Sequence, residues 1–176
     1  QTFEKVFMLN FGTNNGGADG ITVGFQNDPA GTSACGGGGG GIGAQGISNS
    51  FMIEFDTWDN AGNDIFADHT CLTYNGNSFV PITPSIPLLP SGANVEDGMP
   101  HTARIVWIPQ DTTLYMFFDG FLRFTHKVDL INSIFGGKNL VNWGFTSSTG
   151  GSANLQQICF PTKKSKVYYD TVCETE

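Results

Sequence analysis

The sequence predicts an all-β fold, a sandwich or jelly roll of antiparallel strands. Short runs rich in β-branched and aromatic residues follow one another, each closed by turn residues. Fifteen Phe among 176 residues suit pleated, half-buried surfaces. Only one short patch, 129–135, has a helical pattern, so no helical layer is expected.

In order, strands are expected at 2–9, 21–26, 50–57, 70–74, 102–108, 114–118, 121–125, 141–147, 155–159 and 167–170. Asp119-Gly120 between two runs is a hairpin signal, and Asn75-Gly76 is a second turn signal. The segment 83–93 contains Pro84, Pro87 and Pro90, which lack the N–H that a central strand needs. It reads as an extended surface connection. Trp107 and Trp143 fall inside runs and read as core residues, and His101 reads as structural. His126 shows no partner pattern.

The length fits one domain with a full core. A net charge of −8 argues against nucleic acid and against an anionic membrane surface, and suits neutral ligands and bound cations. No run approaches the roughly 20 apolar residues of a membrane span. A start at Gln1 without Met reads as a processed or excised product. Four cysteines permit two disulfides and favour an oxidising compartment; buried free thiols are the alternative.

Chemistry concentrates in one stretch. Glu54, Asp56, Asp59, Asn60, Asp64, Asp68 and His69 fall within sixteen residues of a chain that is 14% charged. Alternation along 53–58 places Glu54 and Asp56 on one face, opposite Ile53 and Phe55. Two carboxylates on one face repel unless a cation lies between them. Asn60, Gly62 and Asp64 form a turn-rich loop that can curl over them. Carboxylates, an amide and loop carbonyls suit Ca²⁺. An added imidazole suits a second ion such as Mn²⁺ or Zn²⁺. Read alone, the stretch also fits a solvated acidic loop.

The order E-F-D-T-W-x-N-x₃-D-x₄-H, from Glu54 to His69, resembles the metal-binding segment of the legume-type (L-type) lectins. Four further blocks follow the family's order: Gly17-Ala18-Asp19-Gly20, the glycine run ending in Gly39-Gly40-Gly41, Asp97-Gly98 with His101 and Ile105, and Gly144-Phe145-Thr146 through Gly150. Gly46 to Ser50 resembles bacterial members more than plant ones. The resemblance implies a concanavalin-like β-sandwich of two large antiparallel sheets, spanning 1–162. It leaves 163–176 as a terminal strand or a tail leading to a further domain.

The same resemblance implies the site. Glu54, Asp56, Asp64 and His69 match the transition-metal ligands. Asp56, the Trp58 carbonyl, Asn60 and Asp64 match the Ca²⁺ ligands. The interval from Asp64 to His69 fits the family, whereas Asp68, adjacent to His69, does not. Asp19, following a cis Ala18–Asp19 peptide, matches the acceptor of sugar hydroxyls. Gly40 matches a backbone N–H donor, and Asn60 serves both calcium and sugar. Phe66 is the expected platform under the sugar ring, ahead of Trp58, with Thr149 and Gly150 at the rim. Proximity of the two loops around the site implies a Cys35–Cys71 pair, and Cys159–Cys173 would flank the last strand pair.

The implied function is calcium-dependent glycan binding without catalysis, in a lectin domain acting as an adhesion module at the cell surface or outside the cell. That reading expects no nucleic-acid partner and no membrane insertion, and it is compatible with an oligomer. The alternative is a laminarinase-type glycoside hydrolase using Glu54 and Asp56. Its E-x-D-x-x-E pattern lacks its second Glu here, since no Glu follows at 58–60.

Overall fold

The computed structural model describes residues 2–61, 64–163 and 169–173. Gly62 of the expected metal loop, and Lys164, Lys166 and Val167 of the tail, lie outside the described residues.

Eleven strands are described: β1 (Phe3–Asn10), β2 (Gly20–Gln26), β3 (Ser50–Asp56), β4 (His69–Tyr74), β5 (Ile86–Pro87), β6 (His101–Ile108), β7 (Thr113–Phe118), β8 (Phe121–Lys127), β9 (Asn142–Ser148), β10 (Gln157–Lys163) and β11 (Tyr169–Cys173). They form a six-stranded sheet, β11-β10-β1-β6-β7-β8, and a five-stranded sheet, β5-β4-β3-β2-β9. The pairings are antiparallel throughout.

The core lies between the sheets. Phe7 and Leu9 of β1, Ile105 of β6 and Phe118 of β7 face Ile21 and Val23 of β2 and Phe51, Ile53 and Phe55 of β3. Full burial of each such side chain stabilises by roughly 1.5–3 kcal/mol. Alternation along β1 is visible as buried Phe7 and Leu9 between less buried neighbours.

β2 and β3 are buried on both faces. Their outer face is covered by the glycine-rich loop, whose Ala44 and Ile47 pack on Met52 in a small second core. The loop is tied down where Thr146 Oγ1 donates to Ile42 O and Ser148 Oγ to Gly39 O, both at 2.7 Å. β3, which carries the acidic pair, is thereby central in its sheet and covered on both sides.

Three expectations about these elements are corrected, and that of a short helical patch is borne out. The proline segment contributes β5, whose Pro87 and Ile86 pair with His69 and Thr70; an edge strand tolerates proline because one side needs no N–H. The 129–135 patch is helical, as expected, and short: a single π-helical turn, Leu130–Ile134, with the Asp129 carboxylate accepting from Asn132 N. Trp143 is 39% exposed rather than core. It lies on the edge strand β9, with Lys5 Nζ 4.0 Å from its ring centroid. Cys35 and Cys71 are free thiols, not a pair. Cys71 points into the buried interior, where its thiol donates to Glu54 Oε2 at 3.4 Å, while Cys35 stays exposed on the glycine loop.

Trp107 is buried, as expected. His101 is structural: its Nδ1 meets Asp119 Oδ2 at 2.7 Å and its Nε2 meets Asp97 Oδ1 at 3.3 Å. His126 does have a partner, the Tyr74 hydroxyl at 3.0 Å.

Candidate metal and sugar site

Register brings the site together. β3 pairs with β4 so that Asp56 opposes His69 and Glu54 opposes Cys71. β3 pairs with β2 so that Asp56 also opposes Gly20, the residue after Asp19. Segments distant in sequence therefore meet at one end of the five-stranded sheet.

Asp56, Asp64 and His69 each offer a ligand atom within 4.8 Å of the others. His69 Nδ1 lies 3.1 Å from Ala67 O, a carbonyl that can only accept, so Nδ1 carries the proton. The other ring nitrogen, Nε2, faces Asp64 Oδ1 at 3.3 Å and Asp56 Oδ2 at 4.0 Å. Two carboxylates turned toward one point beside an imidazole nitrogen are ligand types that a divalent ion takes. This donor set fits a divalent ion.

Glu54 faces the same way. Its Oε1 accepts from Thr73 Oγ1 at 3.1 Å and its Oε2 from the Cys71 thiol. Burial pushes the Glu54 carboxyl up, against the opposing pull of these hydrogen bonds. Burial pushes the Asp56 carboxyl well up, opposed by the bond that Trp58 N donates to it. The Cys71 thiol is pushed up by burial and by the neighbouring Glu54. Thr73 was not singled out in the sequence and Cys71 was read only as a disulfide partner, yet strand alternation from His69 puts both on its face.

The loop after β3 is shaped by its own acceptors. Trp58 N donates to Asp56 Oδ1 at 2.8 Å, and Asn60 N donates to Asp64 Oδ2 at 2.9 Å. Asp68 stands apart from the cluster: its Oδ2 accepts from Val95 N at 2.7 Å. Gly40, Asp56, Asn60, Ala61, Asp64, Ser78 and Phe79 line one cavity. A Cβ on Gly40 would lie 2.7 Å from Asn60 Oδ1, so a side chain there would push the Asn60 amide aside.

Asp19 is 4% exposed, and its Oδ2 has no hydrogen-bond partner among the described residues. The Ala18–Asp19 peptide is cis. Burial raises the Asp19 carboxyl. Gly150 is next to it: a Cβ there would be 3.5 Å from Asp19 Oδ2. Thr149, beside it, is exposed. Phe66 is 93% exposed and is not among the cavity's walls, whereas Phe79 is. Trp58 is half-exposed on the loop between Asp56 and Asn60.

An antiparallel sandwich with an acidic, histidine-bearing loop beside a buried, unpartnered aspartate defines a lectin-type carbohydrate-binding fold. The chain belongs to the L-type lectin family: the profile of the legume lectin beta-barrel domain matches residues 1–162. Among solved structures, the lectin from Bauhinia forficata in complex with GalNAc is 25% identical, with a TM-score of 0.71 over 89% of this chain and 69% of that one. Lectin I-B4 from Griffonia simplicifolia, in a metal-free form, is also 25% identical, with a TM-score of 0.67 over 89% of this chain and 66% of that one. The winged bean acidic lectin, complexed with methyl-α-D-galactose, shares the fold at 24% identity, with a TM-score of 0.71 over 89% of this chain and 67% of that one.

Proposed function

We propose that the chain is a calcium-dependent glycan-binding domain without catalytic activity. One observation carries the reading: the unpartnered Oδ2 of buried Asp19 stands beside Gly150, one residue before Gly20, which pairs with Asp56 of the metal cluster. A buried carboxylate oxygen without a donor is costly, and a sugar hydroxyl supplies the donor.

Asp56, the Trp58 carbonyl, Asn60 and Asp64 would hold Ca²⁺. Glu54, Asp56, Asp64 and His69 would hold a second ion such as Mn²⁺. Bound cations supply fixed positive charge that keeps these carboxylates ionised and the loop ordered. The chain's own groups do the recognition. Asp19 accepts from sugar hydroxyls, the Gly40 and Asn60 N–H groups donate, and Thr149 and Gly150 form the rim. An aromatic ring, Phe66 or Trp58, covers the apolar face of the sugar.

The hydrolase alternative is disfavoured. Glu54 is 2% exposed, with Thr73 and Cys71 donating to its oxygens from inside the protein, so it is not presented to a polysaccharide. We place the domain outside the cell or at its surface, as an adhesion module. There Cys159 and Cys173, opposite each other in the β10–β11 register, would form a bridge.

Calorimetric titration with GalNAc and galactose, the sugars of the solved relatives, tests the function, followed by a wider glycan array. Binding is expected with Ca²⁺ and Mn²⁺ present and is lost on chelation. Binding of equal strength after chelation would refute the calcium dependence.

A further inference from the structure

We propose that Asn154 and Gln156, in the segment between β9 and β10, are positioning residues that hold the Asp19 loop in its sugar-binding geometry. The inference rests on the sugar-site reading above, but its main observable does not depend on sugar.

Asn154 holds the loop from its start. Its Nδ2 donates to Asn14 O at 2.9 Å and to Glu96 Oε1 at 2.7 Å. Asn14 answers through its own Nδ2, which donates to Ala153 O at 3.3 Å. The same Asn14 carbonyl accepts from Gly17 N at 2.7 Å, so Asn154 grips the group that closes the turn before Asp19. The fit is steric as well as polar. A Cβ on Gly17 would come within 2.5 Å of Asn154 Nδ2 and 2.6 Å of its Cβ, so the side chain occupies a notch that glycine leaves.

Gln156 holds the loop at its functional end. Its Nε2 donates to Ala18 O at 3.0 Å and to Ser148 O at 3.2 Å. Ser148 O also accepts from Asp19 N at 2.9 Å. The C=O and the N–H of the one peptide group that carries Asp19 are thus both fixed, by Gln156 and by Ser148. Beyond it, Thr57 N donates to Asp19 O at 3.1 Å, which joins the loop to the end of β3.

Glu96 explains why the Asn154 amide points as it does. It is 3% exposed, and its Oε1 takes the Asn154 donor while its Oε2 has no partner among the described residues. A buried carboxyl is retained at a cost, and here it orients the donors toward Asn14. Neither Asn154 nor Gln156 lines the cavity of Gly40 and Asn60. Their effect on sugar runs through the Asp19 loop.

The test compares the Ca²⁺-loaded parent with Asn154→Ala and with Gln156→Glu, which keeps the shape but replaces the donor by an acceptor. Amide hydrogen exchange is read at Gly17 and Asp19, and galactose and GalNAc affinity by calorimetry. Exchange at those two amides should quicken at least about tenfold, and sugar Kd should rise about tenfold, roughly one hydrogen bond's net worth. Ca²⁺ stoichiometry and exchange in the core strands should stay at parent values. Glu96→Gln, which retains an acceptor for Asn154, should behave as the parent, and Glu96→Leu as Asn154→Ala. Gln156→Glu carries the test alone should Asn154→Ala not fold. Parent-like exchange at Gly17 and Asp19 in both variants overturns the proposal, as does an unchanged Kd with lowered Tm. A parent that binds no sugar defeats the sugar-site reading instead, and the exchange data then decide the holding role by themselves.

Discussion

Replacing Asp19 by Ala separates recognition from folding in a way the structure makes quantitative. The carboxylate is buried, raised by that burial, and one oxygen has no donor. It therefore adds little to the stability of the sugar-free protein; removing an unsatisfied buried charge is neutral or stabilising. Toward sugar the balance reverses. Hydrogen bonds to a charged group contribute roughly 1.5–3 kcal/mol each. One or two such bonds come to about 1.5–6 kcal/mol, against about −4 kcal/mol for a shallow site of millimolar Kd. Asp19→Ala should abolish detectable binding of GalNAc and galactose in calorimetry. Its Tm, measured with and without Ca²⁺, should stay at or above that of the parent, since the Asp56–Asp64–His69 cluster is untouched. A variant that still binds within two- or threefold of the parent refutes the assignment of Asp19. A variant whose Tm falls as its binding falls would show that the aspartate holds structure rather than ligand.

Other outcomes follow from the same geometry. Gly40→Ala should cost at least about tenfold in sugar affinity with the fold intact, because its Cβ would press on Asn60 Oδ1; normal affinity would remove Gly40 from the site. Burial raises Glu96 to about 7, so the folded state binds its proton more tightly than the unfolded state does. The resulting stability is present below the unfolded carboxylate range and is lost as pH rises toward 7, so urea melts of the metal-free protein should show stability falling over pH 5 to 7. Glu96→Gln should flatten that slope, and an identical slope in the variant would point to another group. A thiol reagent should label exposed Cys35 in the folded protein and spare Cys71, whose thiol is buried against Glu54; equal labelling would contradict the packing. Non-reducing peptide mapping should recover Cys159 joined to Cys173, and free thiols at both would rule the bridge out.

What the sequence disclosed depended on the distance over which each feature is encoded. Period-two alternation at 53–56 is local, and it was enough to place Glu54 and Asp56 on one face away from the core. The spacing from Asp64 to His69 is nearly as local. Trp143 misled because apolar alternation cannot distinguish a central strand from the edge strand β9. Pro87 misled for the mirror reason: it excludes a central strand but not a two-residue edge pairing. The proposed Cys35–Cys71 pair required knowing which side of the glycine loop rests on β3, and that is set by Ala44 and Ile47 meeting Met52. Asn154 and Gln156 left no readable signal, since their partners lie 140 and 138 positions away. Two small glycines at Gly12 and Gly17 mark the notch, but only once its occupant is seen.

The pairing of β2 with both β3 and β9 has a temporal consequence. Synthesis proceeds from the N-terminus, and long-range pairing is slow relative to local contact formation. The nascent chain acquires Asp56, Asp64 and His69 well before Ser148 and Gln156 emerge to fix the Asp19 peptide. On the proposed function, glycan recognition would therefore await the last strands even though the candidate cation ligands are synthesised earlier.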